Sequence, residues 1–445
     1  MVTPIELELR AGSLCVCGEA HRVPMDAVVI DEGAIDQVVA YAQSRRWSSP
    51  FVVMDANTEE VAGSRVVAAF VGAGMSVTTF CYPERSGLLA DEKSVSRLEE
   101  ALGDAETDSI FSVGSGVITD LTRYVAARLG SQFVSVPTAA SMDGYASGVA
   151  VMEFGGIKTS FPAGPPVAIF AEPGTIASAP LDMTRAGIGD LLGKASARTD
   201  WLAAHGLYGE YLCPVIEQRV TESYLRAARA VEEILNGSPE AAASFLSGLV
   251  ESGVAIAMVG TSRPASGSEH QVSHFWDLLA ANGWRPHAPH GLQVGYATHF
   301  VTRLQQHAFG GDLPELVAPR PAAAEGEEAR TLFVGHGAQV ETVMKQKSQF
   351  LAEHASEWPA TPQAWRSVRS SLAGALDTFP LVAGALATAG IPAEPGFLGF
   401  DTATLKQSLR WANRIRPRYS VLDFLEGQGR LDDAIDDVLS GDSLS

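Results

Sequence analysis

The hydrophobic pattern changes period once along this chain, near residue 185, and that change limits the architectures open to it. Before it, short apolar runs alternate with segments of helical spacing. FVVMD (51–55), SVTTF (76–80), IFSVG (110–114), FVSVP (133–137) and VAIFAEP (167–173) read as strands. TEEVAGSRVVAAFVGAG (58–74), SVSRLEEALGD (94–104) and VITDLTRYVAARLG (117–130) read as the helices between them. Strands this short, apolar on both faces and separated by helices, predict a parallel sheet covered on each side. After residue 185 the alternation stops. RAGIGDLLGKASARTDWLAAH, TESYLRAARAVEEILNG, AAASFLSGLVESGVAIAMVG and TLKQSLRWANRIRPRYSVLDFL all keep helical spacing. The expected fold class is α/β: a Rossmann-like parallel-sheet domain over residues 1–185, then an all-helical domain over 186–445. APRPAAAEGEEAR (318–330) reads as a surface loop and GDSLS as a frayed tail.

Charge and composition exclude several classes. Lys and Arg number 32 against 52 Asp and Glu, a formal charge of −20. Such a chain is a poor partner for nucleic acid or an anionic bilayer, although a local cationic device can still hold a small anion. Four cysteines, Cys15, Cys17, Cys81 and Cys213, are too few for a disulfide scaffold, and Cys15-Val16-Cys17 is too tight for an ordinary zinc knuckle. The first residues carry neither a basic nor an apolar leader segment, and no stretch reads as a clean membrane span. The expectation is a cytoplasmic protein without membrane insertion.

Two places hold candidate chemistry. VGSGVITD (113–120) sets Gly114-Ser115-Gly116 between a strand and a helix, where small residues let backbone N–H groups approach a pyrophosphate. Thr119 stands where the dinucleotide fingerprint has its third glycine, so a tight turn without a ligand is an equal reading. Asp55 ends a strand, where a carboxylate accepts from a ribose hydroxyl, or caps the helix that follows. Its position ahead of the glycine turn reverses the Rossmann order.

Six of the ten histidines lie between residues 270 and 307: His270, His274, His287, His290, His299 and His307. His270 and His274 share a helix face, and HAPHG places His287 and His290 just before another helix. Asp190 sits among small and apolar residues, where a carboxylate needs a partner. One carboxylate and two or three imidazoles suit a divalent cation with open positions; packed or capping residues are the alternative.

These blocks, taken together, resemble the sn-glycerol-1-phosphate dehydrogenases, a branch of the dehydroquinate synthase-like and iron-containing alcohol dehydrogenase superfamily. The matching segments are VGSGVITDLTRY, FVSVPTAASMDGYAS, GIGDLLGKASARTDW, TSRPASGSEHQVSH, PHGLQVG and RPRYSVLDFLE, collinear over about residues 50 to 425. The resemblance implies a dinucleotide-binding first domain and a metal- and substrate-binding second one. It implies a divalent metal on Asp190, His270 and His290. Lys194 stands where iron-containing members have a further histidine, which implies Zn²⁺ or Ni²⁺. It assigns NAD(H) or NADP(H) to Asp55, Gly114, Ser115, Gly116, Val117, Ile118, Thr119, Asp120, Thr138, Ser141 and Ser147. Asp143 falls on the substrate-contacting position.

The implied reaction is reduction of dihydroxyacetone phosphate, a small phosphorylated three-carbon substrate, by a homodimer or larger homo-oligomer. His274 is then a proton relay, with a pKa expected near working pH. Lys158, Arg263 with Ser262, and Lys194 are candidates for the substrate phosphate. Asp55 would repel a 2′-phosphate and favour NADH. A sugar-phosphate cyclase and a polyol dehydrogenase are the competing enzymatic readings, and a non-enzymatic binding module is a third.

Overall fold

The computed structural model describes residues 15–103, 105–155, 157–310, 331–359 and 361–440, without the side chains of 157 and 158. The expected loop at 318–330 and the tail GDSLS lie outside the described residues.

A six-stranded, all-parallel sheet runs in the order β1-β8-β5-β4-β2-β3. Its strands are β1 (Ala27–Ile30), β2 (Pro50–Asp55), β3 (Thr78–Tyr82), β4 (Ser109–Gly114), β5 (Phe133–Pro137) and β8 (Ala168–Ala171). Between β5 and β8 an antiparallel hairpin, β6 (Val149–Phe154) with β7 (Ile157–Pro162), stands apart from the sheet. Strand alternation explains the unbroken apolar runs. Val52 and Met54 of β2 join one core with Val38, Val66 and Phe70, while Phe51 and Val53 join the opposite core with Leu98, Leu121 and Val125.

The helices that cover the sheet include α1 (Ala34–Ser44), α2 (Ser64–Gly72), α3 (Glu92–Gly103) and α4 (Gly116–Arg128). The single helix expected over 58–74 is instead a short turn, a π-helical segment at Glu59–Gly63, and α2. Helix α3 starts earlier than expected because Asp91, not Ser94, caps it: Asp91 Oδ1 accepts from the Ser94 N–H at 2.8 Å.

The later helices include α5 (Leu181–Leu192), α6 (Lys194–Tyr208), α7 (Pro214–Arg229), α8 (Pro239–Val259), α9 (Ser268–Ala281) and α10 (His290–Phe309). The chain forms two compact units. One holds residues up to Gly187 together with Ala230–Thr261; the other holds Ile188–Arg229 and the residues from Ser262 onward. A single cut at 185 therefore omits the return of α8 to the first unit. The reason is chemical: Ser252 on α8 donates to Asp143 Oδ2 at 2.9 Å, and Gly253 lets the helix backbone approach the Asp143 carbonyl.

Helix α8 also corrects the expectation that nothing has the length and apolar character of a membrane span. Its 21 residues qualify on those two measures, as does Pro362–Thr388. In the fold, Phe245, Leu246, Leu249 and Val250 of α8 are buried within the protein.

Candidate active site

Asp190 on α5, His270 on α9 and His290 at the first turn of α10 converge in the second unit, with one ligand atom from each lying within 4.8 Å of the others. Three close approaches, two of them between backbones, set this convergence. A Cβ on Gly189 would lie 2.1 Å from the Gly291 carbonyl oxygen, and one on Gly295 would lie 2.8 Å from Gly189 Cα. A Cβ on Gly193 would meet the Val294 side chain at 2.6 Å. The small residues of GIGDLLG thus let α5 and α10 touch through their backbones, one turn from Asp190 and His290.

Hydrogen bonds fix which imidazole nitrogen faces inward. His270 Nδ1 lies 2.7 Å from Oε1 of Glu269, a fully buried carboxylate. Burial raises the Glu269 pKa and its hydrogen bonds pull it back; ionised, the carboxylate only accepts, so Nδ1 carries the proton and Nε2 presents its lone pair, 3.6 Å from Asp190 Oδ1. Glu269 is itself held by the Gly267 N–H and the Ser196 hydroxyl, each at 2.8 Å. For His290 the chain is longer. Gln293 Nε2 donates to the Ala288 carbonyl at 3.0 Å and to Asp277 Oδ1 at 3.3 Å, which turns its Oε1 towards Ser273. The one Ser273 proton goes to that oxygen at 3.0 Å, so Ser273 Oγ accepts from His290 Nδ1 at 3.2 Å. His290 Nε2 is then also an inward lone pair. Metal-binding histidines commonly give their outward N–H to an acceptor in this way, which fixes the tautomer.

Zinc–nitrogen and zinc–oxygen bonds of about 2.0–2.2 Å put tetrahedral ligand atoms roughly 3.3–3.6 Å apart, so the 3.6 Å separation fits a cation of that size. His274, Asp277 and His290 form a second convergent group with similar spacing. There, however, His274 Nδ1 approaches Asp277 Oδ2 at 3.6 Å, a looser contact than the 2.7 Å one that orients His270. The first set is the better ligand cage.

Charge around the cage is balanced by buried groups. Lys194 Nζ donates to Asp190 Oδ1 at 2.6 Å, and both side chains are essentially inaccessible. Burial holds the His270 pKa well below the ordinary imidazole range, and the Lys194 charge adds to this. Burial likewise pushes His274 down to about 3, with the Arg416 charge contributing. The expectation that His274 titrates near working pH is therefore corrected: the ring is neutral there. Arg416 is a cation missed by sequence reasoning. Burial lowers its pKa, Asp277 raises it, and no ion pair or hydrogen bond engages it among the described residues.

The other predicted cations are placed differently. The Arg263 guanidinium is paired with both Glu210 oxygens, Nε to Oε1 at 2.5 Å, and gives Nη1 to the Tyr419 carbonyl at 2.8 Å. Three of its five N–H donors are engaged within the protein and Glu210 neutralises its charge, which weakens it as a phosphate anchor. Ser262 Oγ accepts from Arg418. Lys194 is committed to Asp190. Lys158 lies in β7, and its side chain is outside the described residues. Of the remaining histidines, His299 bonds the Ile391 carbonyl at 2.9 Å, His307 lies against Arg430, and His287 is half exposed.

In the first unit the glycine turn joins β4 to α4. A Cβ on Gly114 would lie 2.7 Å from Ile118, so glycine is needed for the helix to begin so close to the strand. Ser115, Gly116 and Val117 are accessible at the helix start, and no side chain caps it. Ile118, Thr119 and Asp120 are buried. Asp120 pairs with Arg123 at 2.8 Å, and Arg123 clamps the carbonyls of Gly144, Tyr145 and Val149. Burial raises the Asp120 pKa to about 6, with Arg123 pulling it back. Asp120 is thus a structural staple rather than a cofactor contact. Asp55 does cap the next helical turn: Oδ1 accepts from Asn57 and Thr58 N–H at 2.9 and 2.8 Å. The cap uses one carboxylate oxygen. Thr138 follows β5, and its N–H reaches the Gly114 carbonyl at 3.3 Å. Ser141 Oγ lies 3.5 Å from the Tyr145 hydroxyl, and Ser147 Oγ donates to the Val149 carbonyl at 2.9 Å.

The chain is similar to several known proteins. The family model for iron-containing alcohol dehydrogenases matches residues 29–180. A glycerol-1-phosphate dehydrogenase [NAD(P)+] of Halalkalibacterium halodurans is 34% identical over 67% of this chain and 75% of its own. One from Pyrococcus furiosus is 36% identical over 62% and 78%, and one from Geobacillus stearothermophilus 28% over 92% and 95%. Among solved structures, glycerol dehydrogenase from Schizosaccharomyces pombe superposes with a TM-score of 0.61 at 19% identity, covering 94% of this chain and 89% of that one. With a parallel sheet and relatives of this identity, the chain belongs to the glycerol-1-phosphate dehydrogenase family of the iron-containing alcohol dehydrogenase superfamily.

Proposed function

We propose that the protein catalyses reversible reduction of dihydroxyacetone phosphate to sn-glycerol 1-phosphate with NAD(P)H. The observation that carries this reading is the cage of one carboxylate and two tautomer-fixed imidazoles, with the half-buried Arg416 near Asp277. When bound, a divalent cation (Zn²⁺ or Ni²⁺) supplies a Lewis acid for a carbonyl, and the nicotinamide supplies a hydride donor.

The chain's own residues do the rest. Asp190, His270 and His290 hold the cation, with Glu269 and Ser273 orienting the two rings. Lys194 cannot ligate while protonated, so the protein offers three ligands and leaves open positions. Arg416 supplies charge for the substrate phosphate, whereas the Arg263 charge is neutralised by Glu210. His274, neutral at working pH, passes a proton through its ring nitrogens rather than storing one. Asp143, steadied by Ser252, is assigned to a substrate hydroxyl. The N-terminus of α4 at Ser115–Val117 receives the dinucleotide pyrophosphate, and Asp55 uses its second oxygen for the ribose.

The test is NAD(P)H oxidation with dihydroxyacetone phosphate, before chelation, after it, and after Zn²⁺ or Ni²⁺ is restored, with chiral analysis of the product. Turnover of glycerol but not of the phosphorylated ketone, or no turnover with any divalent cation, refutes the reading.

A further inference from the structure

We propose that Cys15, Cys17 and His21 form a second metal site in the first unit, taking a borderline-soft divalent cation of the zinc type. The sequence spacing of the two cysteines argued against a knuckle, because that motif closes on its own cysteines. Here the third ligand comes from His21. The segment folds back on itself: Gly18 N–H donates to the Cys15 carbonyl and Cys15 N–H to the Glu19 carbonyl, each at 2.9 Å. Gly18 takes φ 88°, a left-handed value that favours glycine. This turn directs Val16 outward, 83% exposed, and brings the Cys15, Cys17 and His21 ligand atoms within 4.8 Å of one another.

His21 carries the independent observation. Its Nε2 lies 3.2 Å from Cys17 Sγ, and its Nδ1 lies 3.2 Å from the Met258 carbonyl at the end of α8. A carbonyl oxygen only accepts, so the proton sits on Nδ1 and the Nε2 lone pair faces the thiols. His270 and His290 likewise give their outward N–H to an acceptor, there built from different elements. Zinc–sulfur bonds of about 2.3 Å and zinc–nitrogen bonds of about 2.0 Å separate tetrahedral ligand atoms by roughly 3.5–3.8 Å. The 3.2 Å contact between Cys17 Sγ and His21 Nε2 and the 4.8 Å upper limit on the set bracket that range.

Binding displaces two thiol protons, and two thiolates cancel the cation's charge, so a half-buried site stays neutral. The cation ties the segment at 15–21 to the C-terminal end of α8 through His21 and Met258. Two thiolates and an imidazole leave a fourth position for another donor.

The two sites are separable by their ligands, since the Asp190 cage contains no sulfur. The experiment titrates Co²⁺ into the full-length, reduced, metal-free protein and follows absorbance and bound metal. About two equivalents per chain are expected, one with a thiolate-to-cobalt charge-transfer band in the near ultraviolet. Cys15→Ser with Cys17→Ser should abolish the band and lower binding to about one equivalent; His290→Ala should lower binding equally and keep the band. Zn²⁺ should slow thiol labelling of Cys15 and Cys17 at least about tenfold, a readout that needs no variant to fold. A wild-type titration without the band, a band that survives the double substitution, or labelling indifferent to Zn²⁺ overturns the site. A Cys15–Cys17 disulfide that persists under reducing conditions overturns it as well.

Discussion

Replacing Gly189 by alanine probes whether backbone contact between α5 and α10 sets the metal ligand spacing. The new Cβ would fall 2.1 Å from the Gly291 carbonyl oxygen, while unstrained contacts sit near about 3.5 Å, so the helices must part by about 1.4 Å. The obstructing atom is backbone and has no rotamer to escape into. Asp190 is the next residue on one helix and His290 lies beside Gly291 on the other, so the parting falls on the ligand pair. Ligand positions tolerate only about 0.2 Å. A displacement several times larger removes one ligand from a set of three, and metal affinity should fall on the order of 100-fold, or about 2.7 kcal/mol. Overpacking should cost a further 1–3 kcal/mol of stability, roughly. The assay is Zn²⁺ competition against a chromogenic chelator, with thermal unfolding alongside. Gly384→Ala is the control, because a Cβ there meets nothing within 4 Å on a helix of the same unit. It should leave metal binding unchanged and gain about 1 kcal/mol. If Gly189→Ala folds and binds Zn²⁺ within about twofold of the parent, the contact does not set the spacing and the reasoning fails.

Glu269→Gln should lower metal affinity about 10- to 100-fold, because an amide can present an N–H to His270 Nδ1 and release the tautomer; wild-type affinity in a chelator competition would refute it. Arg416→Ala should raise KM for dihydroxyacetone phosphate by roughly 30-fold or more while leaving turnover of an unphosphorylated ketone unchanged, as expected for a charged hydrogen bond of about 2 kcal/mol. Burial holds His270 and His274 below the unfolded value, His274 at about 3, so the unfolded chain binds more protons between about pH 6.5 and 3. Stability of the metal-free protein should be fully present above that window and fall through it on acidification, and His274→Gln should flatten the slope in urea titrations. Asp55→Asn keeps a capping side chain but removes its charge, so it should narrow a preference for NADH over NADPH without the loss of about 1 kcal/mol that alanine would bring; paired KM measurements decide it.

The sheet was legible because each strand is short, apolar and ended by a turn residue. FVSVP coincides with β5, and IFSVG misses only Ser109 of β4. Where strands carry partial exposure the pattern fades, so β1 and the β6–β7 hairpin were not seen, and β3 was placed two residues early. The return of α8 to the first unit is decided by Ser252 and Gly253 meeting Asp143, a contact more than a hundred residues apart in sequence. At the cage, clustering drew attention to the histidines, but the choice of His270 and His290 came from family resemblance. The supporting shell left no local signal. Glu269 looks like a helix-start carboxylate, Ser273 and Gln293 like ordinary polar residues, and Arg416 like a basic turn. Conversely, Asp120 and Arg263 carry the right charge in the right segment, yet buried partners consume them.

The Lys194 ammonium gives the cage a resident placeholder. A buried carboxylate facing two neutral imidazoles would otherwise be an uncompensated charge, costly enough to oppose folding. With Lys194 in contact, α5 and α6 assemble around a neutral pair whether or not a divalent ion has arrived. Metal uptake then becomes an exchange of partners on Asp190, not the nucleation of a fold. The same ammonium competes with every incoming cation for that oxygen. Lys194→Met should therefore both destabilise the metal-free protein and raise its metal affinity, as thermal unfolding and Zn²⁺ competition would read.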